Sequence, residues 1–554
     1  MDREKSTPYW KRLALNNVYL ESIMKEIPRL LGLVDKNPNS PTFGCFDRQF
    51  WHYNVVDFPC ARSQEAVLTL AILYQNEFLD NVYYKNSNIF SLIDGALRFW
   101  SDIQDSDGSF SEWYPVEHSF VATAFTTYAI SETLLTLGED IPSYRKILKS
   151  LRRAGEWLLN YTDFTACNQV AGAVAALFNL YLLTNEERYR DGATRKLEQL
   201  KDRQDPEGWF PEYGGPDTGY LSLAIDYLSK YYEKSEDPLA REMIDKALGF
   251  LVYFAHPNGT FGGEYGSRNT KYIIPAGIEF SSRWNKDARV IASLLRKSIR
   301  KMQTVGPYNL DDRYLSYIGY TYLQAHMNIY QGDLELPMFK REFVKFFSNS
   351  GILVVSNDNF YFISNLKKGG AFRLFNKKTN SSISDSGVIV EIEGKTYSSG
   401  WLNDKSNLSF ENYKAMTRNS LLRLSYKTMS STDLALSRLF QLTFGRFTGL
   451  SLKVKNILRR FLITYSAKSD IEVTRYIDIT GDEITVRDEI TSDKDIKKIT
   501  VGAENPYIYI PSSRYFESQD LGNCPEVIYP EKNTIKILRR YDAEGKKEFT
   551  YQST

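Results

Sequence analysis

Five stretches of this chain place amides, phenols, imidazoles and carboxylates in turns rich in glycine, aspartate and aromatic residues, each followed by a run of small apolar residues. They are Gln49-Phe-Trp-His-Tyr-Asn54, Asp107-Gly-Ser-Phe-Ser-Glu-Trp-Tyr-Pro-Val-Glu-His118, Ala166-Cys-Asn-Gln169, Glu207-Gly-Trp-Phe-Pro-Glu-Tyr213 and Gly262-Gly-Glu-Tyr-Gly-Ser-Arg268. Phenols, imidazoles and carboxyl groups move protons, and amide donors stabilise charge that develops on a neighbouring oxygen. Aromatic faces set among polar side chains suit stacking against sugar rings. Gathered around one cleft, these residue types would suit the binding of a sugar polymer.

The elements that must position them are helices. The inner helices following Cys60, Ser119, Asn168, Thr218, Thr270 and Asp312 start 42 to 59 residues apart, a period that fits two helices per repeat. Phe120-Val-Ala-Thr-Ala-Phe-Thr-Thr-Tyr-Ala-Ile130 and Val170-Ala-Gly-Ala-Val-Ala-Ala-Leu-Phe178 are apolar nearly all round, which predicts burial on every side. Between them, amphipathic spacing predicts outer helices over 9–33, 88–104, 144–161, 187–203, 238–254 and 287–303. Six such pairs close into an (α/α)6 toroid over residues 1–345 with all the turns at one end. After Phe347 the texture changes to alternating runs separated by Asn, Asp, Gly and Ser, as in Ile352-Leu-Val-Val-Ser356 and Ile471-Glu-Val-Thr-Arg-Tyr-Ile-Asp-Ile479. This predicts an antiparallel β-sandwich over 346–554.

Composition narrows the classes. The chain has 554 residues and a net charge of +1, which gives no reason to expect nucleic acid as a partner. Its four cysteines, Cys45, Cys60, Cys167 and Cys524, lack paired spacing and read as reduced thiols. The segment from Met1 has no apolar core of signal-peptide type and no run long enough to span a bilayer stands out, so the expectation is a cytoplasmic protein. No nucleotide-binding or metal-binding motif is present, so no cofactor and no metal are expected. From Asp433 to Asp470 there is no acidic residue, while Arg438, Arg446, Lys453, Lys455, Arg459, Arg460 and Lys468 alternate with Leu and Phe. Strands with a basic outer face would account for this; residues 434–469 lying on an anionic membrane surface are the second reading.

The order toroid then sandwich, with Asn168-Gln169 heading an inner helix, Asp205-Pro-Glu-Gly-Trp-Phe-Pro-Glu212 followed by Gly219-Tyr220, and Gly369-Gly-Ala-Phe-Arg373 with Ser384-Asp-Ser-Gly387, resembles the heparinase II/III-like polysaccharide lyases. The resemblance implies β-elimination on an acidic glycan, with Asn168 donating to a uronate carboxylate and Tyr220 as base or acid. Gln169 stands where the family often has His, and Gln cannot carry a proton. All four histidines (His52, His118, His256 and His326) precede the sandwich, which leaves no histidine there for a metal.

Within the toroid His118, flanked by Glu117, is the second proton carrier of choice. Glu212 is the further candidate catalytic residue. Candidate substrate contacts are Trp51, His52, Arg62, Trp113, Tyr114, Gln169, Trp209, Tyr213, Glu264, Tyr265 and Arg268. Arg268 suits bidentate pairing with a carboxylate. Two alternatives stay open. Glu112, Glu117, Glu212, Asp217 and Glu264 supply carboxylates for a glycoside hydrolase, whose pair would stand about 5–9.5 Å apart. A glycan-binding protein of surface polysaccharide synthesis, without catalysis, is the other.

Overall fold

The computed structural model describes residues 17–332, 335–424, 430–447, 449, 453–454, 468–503, 525–542 and 545–553. Six inner helices form a closed ring: Ala66–Gln75 with the 3-10 turn Ala61–Glu65 before it, Phe120–Leu137, Cys167–Thr184, Thr218–Ser235, Pro275–Ser281 and Asp312–Met327. Each packs on the next, and the last returns to the first. Outer helices Ser87–Asp102, Tyr144–Asn160, Glu187–Lys201, Pro238–Leu251 and Lys286–Arg300 lie outside them. The first outer element is two short helices, Val18–Met24 and Ile27–Leu33, with Pro28 in the first turn of the second. Proline cannot donate the bond that would continue a single helix. The start of the predicted 9–33 helix lies outside the described residues.

Inner helices Phe120–Asp140 and Cys167–Thr184 are long and apolar enough to cross a membrane by length and composition, yet 78% and 72% of their apolar windows are buried in the molecule. Uniform hydrophobicity here serves a ring that covers both faces of each inner helix. The fifth inner helix starts at Pro275 rather than after Thr270. Residues 271–274 run on without helix, and Ile274 N–H donates to Ser222 Oγ at 3.0 Å. Ring closure is polar as well as apolar. Tyr19 donates to Glu279 at 2.7 Å, Arg296 Nε donates to the same carboxylate at 2.7 Å, and the Cys60 thiol lies 3.1 Å from Tyr317 Oη.

Two antiparallel sheets follow. The smaller is a five-stranded meander, Phe343–Phe347, Ile352–Ser356, Phe360–Asn365, Ala371–Asn376 and Ser382–Asp385. Its three middle strands are buried at every position, whereas their sequence suggested strands with one wet face. The toroid explains the difference. Val354, Tyr361, Ile363 and Phe375 join the toroid core, while Leu353, Val355, Phe362, Phe372 and Leu374 pack on the larger sheet. The larger sheet has ten strands and keeps the expected alternation, as in Glu483–Thr491.

Four charges lock the two sheets together. Arg475 donates to Asp488 at 2.6 and 3.0 Å and to Asp385 at 3.2 Å, and Arg539 pairs with both aspartates. All four side chains are at most 1% exposed. Burial opposes charge on Asp385, but the two arginines outweigh it and hold the carboxyl below its ordinary range. Gly370, at φ +68°, lets the backbone reach Arg475, since a Cβ there would lie 2.7 Å from Arg475 Cδ. Removing one partner leaves a buried charge uncompensated. Arg475→Met is therefore expected to destabilise the sandwich by about 3–5 kcal/mol, measured as a fall in the midpoint of its unfolding transition in urea.

Candidate active site at the toroid rim

The rim turns meet above the N-termini of the inner helices. Asn168 sits in the first turn of Cys167–Thr184 and is 3% exposed. Its backbone N–H donates to Glu212 Oε1 at 2.8 Å and its side-chain amide to Glu212 Oε2 at 2.7 Å. Glu212 is fully buried beneath it. Burial pushes its carboxyl well above the ordinary range, and the two bonds from Asn168 only partly offset this. The carboxyl thus fixes the plane of the Asn168 amide and does not itself reach the cleft. Gln169 is half-buried beside it.

Tyr220 lies one repeat on, in the first turn of Thr218–Ser235. Asp217 caps that helix, accepting from Tyr220 N–H at 3.3 Å. The same carboxylate accepts from Arg268 N–H at 2.9 Å and from the Thr270 hydroxyl, so it also fastens the turn over 262–270. Gly262, at φ +66°, makes the turn possible: a Cβ there would stand 1.9 Å from Thr270 O.

The sandwich grips the turn from the other side. Asn365 donates to Tyr265 O at 2.8 Å, Lys368 Nζ to Gly266 O at 2.6 Å and to Asn269 Oδ1 at 2.5 Å, and Arg373 pairs with Glu264 at 3.2 Å. The turn in turn presents Arg268. Its guanidinium lies 4.4 Å over the Tyr213 ring and 5.7 Å from that of Trp401, and its Nε has no partner among the described residues. Burial lowers its pKa, against the pull of nearby Tyr213 and Tyr220.

An aromatic path leads away from this point. Ring centroids step from Tyr213 to Tyr220, to Tyr272 and to Tyr314 at 6.4 Å each, then to Tyr317 at 5.5 Å. It ends at Arg313, 5.8 Å from the Tyr317 ring and 4.1 Å over Trp113. There a cavity of about 260 Å³ opens, lined by Trp113, Tyr53, Phe58, Glu112, Arg48 and Arg313 among others.

Other candidates take different places. His118 is 1% exposed, with Nδ1 2.7 Å from Asp107 and 2.9 Å from Ser109 Oγ. Burial opposes its charge, but Asp107 outweighs this and raises the ring's pKa, with the Gly445 backbone adding to the effect. Glu117 accepts from the N–H groups of Glu112 and Trp113 at 2.9 and 2.7 Å and so shapes the loop. Arg62 pairs with Glu65 at 2.6 Å under the Tyr317 ring. Trp51 is tied to Leu33 O at 2.8 Å, with the exposed His52 ring tilted at 52° to it and 5.1 Å away. Tyr114 is half-buried near Trp113 in sequence.

Trp209 and Tyr265 lie off the cleft. Trp209 donates to Glu207 at 3.0 Å, and Glu207 accepts from Asn349 N–H of the sandwich at 2.7 Å. Tyr265 is 1% exposed and bonds His256 Nε2 at 2.8 Å. Lys368, Trp401, Tyr272, Tyr314 and Arg313 were missed by sequence reasoning. The Thr270-Lys271-Tyr272 continuation of the rim turn was the only local signal for any of them.

Comparison with solved structures agrees with this architecture. The chondroitin AC lyase of Streptomyces coelicolor A3, in complex with chondroitin sulphate, superposes with a TM-score of 0.51 at 11% identity, over 90% of this chain and 69% of that one. Heparinase III gives 0.41 at 11% identity over 88% and 79%, and the heparan sulfate lyase HepC of Pedobacter heparinus 0.40 at 11% over 97% and 76%. The sequence matches no protein-family profile and no curated protein. The chain therefore shares the toroid-and-sandwich fold of that chondroitin lyase.

Burial lowers the pKa of Lys368 to about 7, while Glu264 and Asp217 pull the other way. An unfolded lysine titrates near 10.4. Between those values the unfolded chain holds one proton more than the folded one, so stability rises with pH. The melting temperature of the wild type relative to Lys368→Met is expected to climb from about pH 7 to 10 and to be flat below pH 6; a difference constant across the range removes the charge penalty assigned to Lys368.

Proposed function

We propose that the protein cleaves an acidic glycan by β-elimination at the Asn168, Tyr220 and Arg268 site. The observation that carries this reading is the placement, at the heads of adjacent repeats, of an amide held flat by Glu212, a phenol, and a guanidinium whose Nε has no partner among the described residues. Removing the proton at C5 of a uronate places negative charge on the neighbouring carboxylate, and Asn168 and Arg268 are suited to neutralise it. The C5–H and C4–O4 bonds break, a C4–C5 double bond forms, and a proton is delivered to O4. Tyr220 is the group assigned to the proton transfers, beside the Arg268 cation. His118, enclosed and paired with Asp107, fits the role of holding the loop over 107–118.

Hydrolysis on the same scaffold is less well supported because four of its five candidate carboxylates are engaged; the fifth, Glu112, lies 3.7 Å from Arg62 and lines the rim cavity. Glu117 holds backbone amides, Glu212 holds Asn168, Asp217 binds the 262–270 turn and Glu264 pairs with Arg373. The fold shared with a chondroitin lyase supports the substrate class, a polymer containing uronic acid.

The test is incubation with a panel of acidic polysaccharides and oligosaccharides, reading unsaturated-uronate absorbance and new reducing ends together. Both signals are expected to rise; reducing ends without absorbance would establish hydrolysis. Tyr220→Phe is expected to lower turnover by about a hundred- to ten-thousand-fold without a change in melting temperature, and Asn168→Ala to lower it as well. Wild-type turnover in Tyr220→Phe would exclude the proposed proton carrier.

A further inference from the structure

Residues 430–447 leave the larger sheet between strands Lys414–Arg423 and Lys468–Thr480 and reach the toroid rim. Ser430 and Asp433 form a capping box that starts the helix Ser431–Leu442, so this part of the basic segment is helical and not the strand that composition favoured. Arg438 fastens the helix to the rim, pairing with Asp57 at 2.9 Å beside the Phe58 ring.

No residue of this helix is buried. Leu434, Leu436, Leu439 and Leu442 are 47–61% exposed, and Phe444 and Phe447 are 60% and 67% exposed. On the adjoining rim Tyr53 and Val55 are 55% and 70% exposed. An apolar surface of this extent marks an interaction face. Its charge selects the partner. Within residues 430–447 the charged side chains are Arg438, Arg446 and Asp433, the last taken up by the capping box, and the sequence from there to Asp470 adds five basic residues and no acidic one. Leucine and phenylalanine mixed with arginine match an anionic interface with an apolar interior.

We propose that residues 430–447 seat the protein on an anionic lipid bilayer, with the toroid rim turned toward the membrane. Because Arg438 joins the helix to Asp57 next to Phe58, which lines the rim cavity at Trp113 and Arg313, that cavity then opens at the lipid surface. The inference stands on exposure and charge and is independent of the reaction at Tyr220.

Sedimentation of the full chain with vesicles tests it. The protein is expected to pellet with phosphatidylcholine–phosphatidylglycerol vesicles and to stay in solution with phosphatidylcholine alone. Salt raised to about 0.5 M should release it, as charge attraction is screened. Leu436→Asp/Leu439→Asp and, separately, Arg446→Glu should each weaken partitioning, the first by about tenfold or more, with melting temperatures unchanged because all three side chains are exposed. Failure of the wild type to bind anionic vesicles overturns the proposal, as does equal partitioning of wild type and both variants. A dimer that Leu436→Asp/Leu439→Asp converts to monomer, without vesicle binding, would assign the face to a second copy instead.

Discussion

The turn over 262–270 is held from two directions, and the arrangement of the candidate site depends on that double grip. From the toroid, Asp217 receives the turn's backbone and the Thr270 hydroxyl. From the sandwich, Asn365, Lys368 and Arg373 take hold of its carbonyls and its one carboxylate. A loop presenting a buried guanidinium would otherwise lose much of its free energy to ordering. Anchoring at both ends fixes Arg268 against Tyr213 and Trp401 before any ligand arrives. The sheet that supplies these anchors is buried on both faces, so its position relative to the ring follows from packing.

Burial also sorts the carboxylates. A buried carboxylate needs donors, and Glu117, Glu212 and Asp217 take theirs from the protein. Glu212 shows the consequence most directly: with no exposure and both oxygens taken by Asn168, it works through the amide above it. Arg268 differs: its Nε has no hydrogen-bond partner among the described residues, whereas Arg313, at the far end of the tyrosine path, donates to Tyr317 Oη and to Glu112 O.

Much of the fold was legible in the sequence because its signals are local. Inner helices such as Val170 to Phe178 announce burial by hydrophobicity all round, and the outer helix Tyr144–Asn160 announces one wet face by its basic spacing. The rim turns were legible from glycine and aspartate next to aromatics. Partnerships across long separations were not. Nothing in Pro211-Glu212-Tyr213 shows that its carboxylate would lie under Asn168, 44 residues earlier, or that Lys368 would meet a turn about a hundred residues away. Trp209 and Tyr265 have the composition of sugar platforms yet fill gaps between repeats, because stacking and plugging use the same surfaces. The helix Ser431–Leu442 was obscured by its setting among strands.

Closure of the ring carries a consequence for how the chain is made. Tyr19 meets Glu279 across 260 positions, and Cys60 meets Tyr317 across 257. Contacts so distant in sequence form slowly, since the intervening chain must first be brought together. The earliest repeats leave the ribosome with uniformly apolar helices whose closing neighbours do not yet exist. Until Asp312–Met327 is synthesised the assembly is an open crescent with two sticky ends. Such a species invites capture by chaperones or by other nascent chains, so the yield of native protein is governed by the lifetime of that crescent.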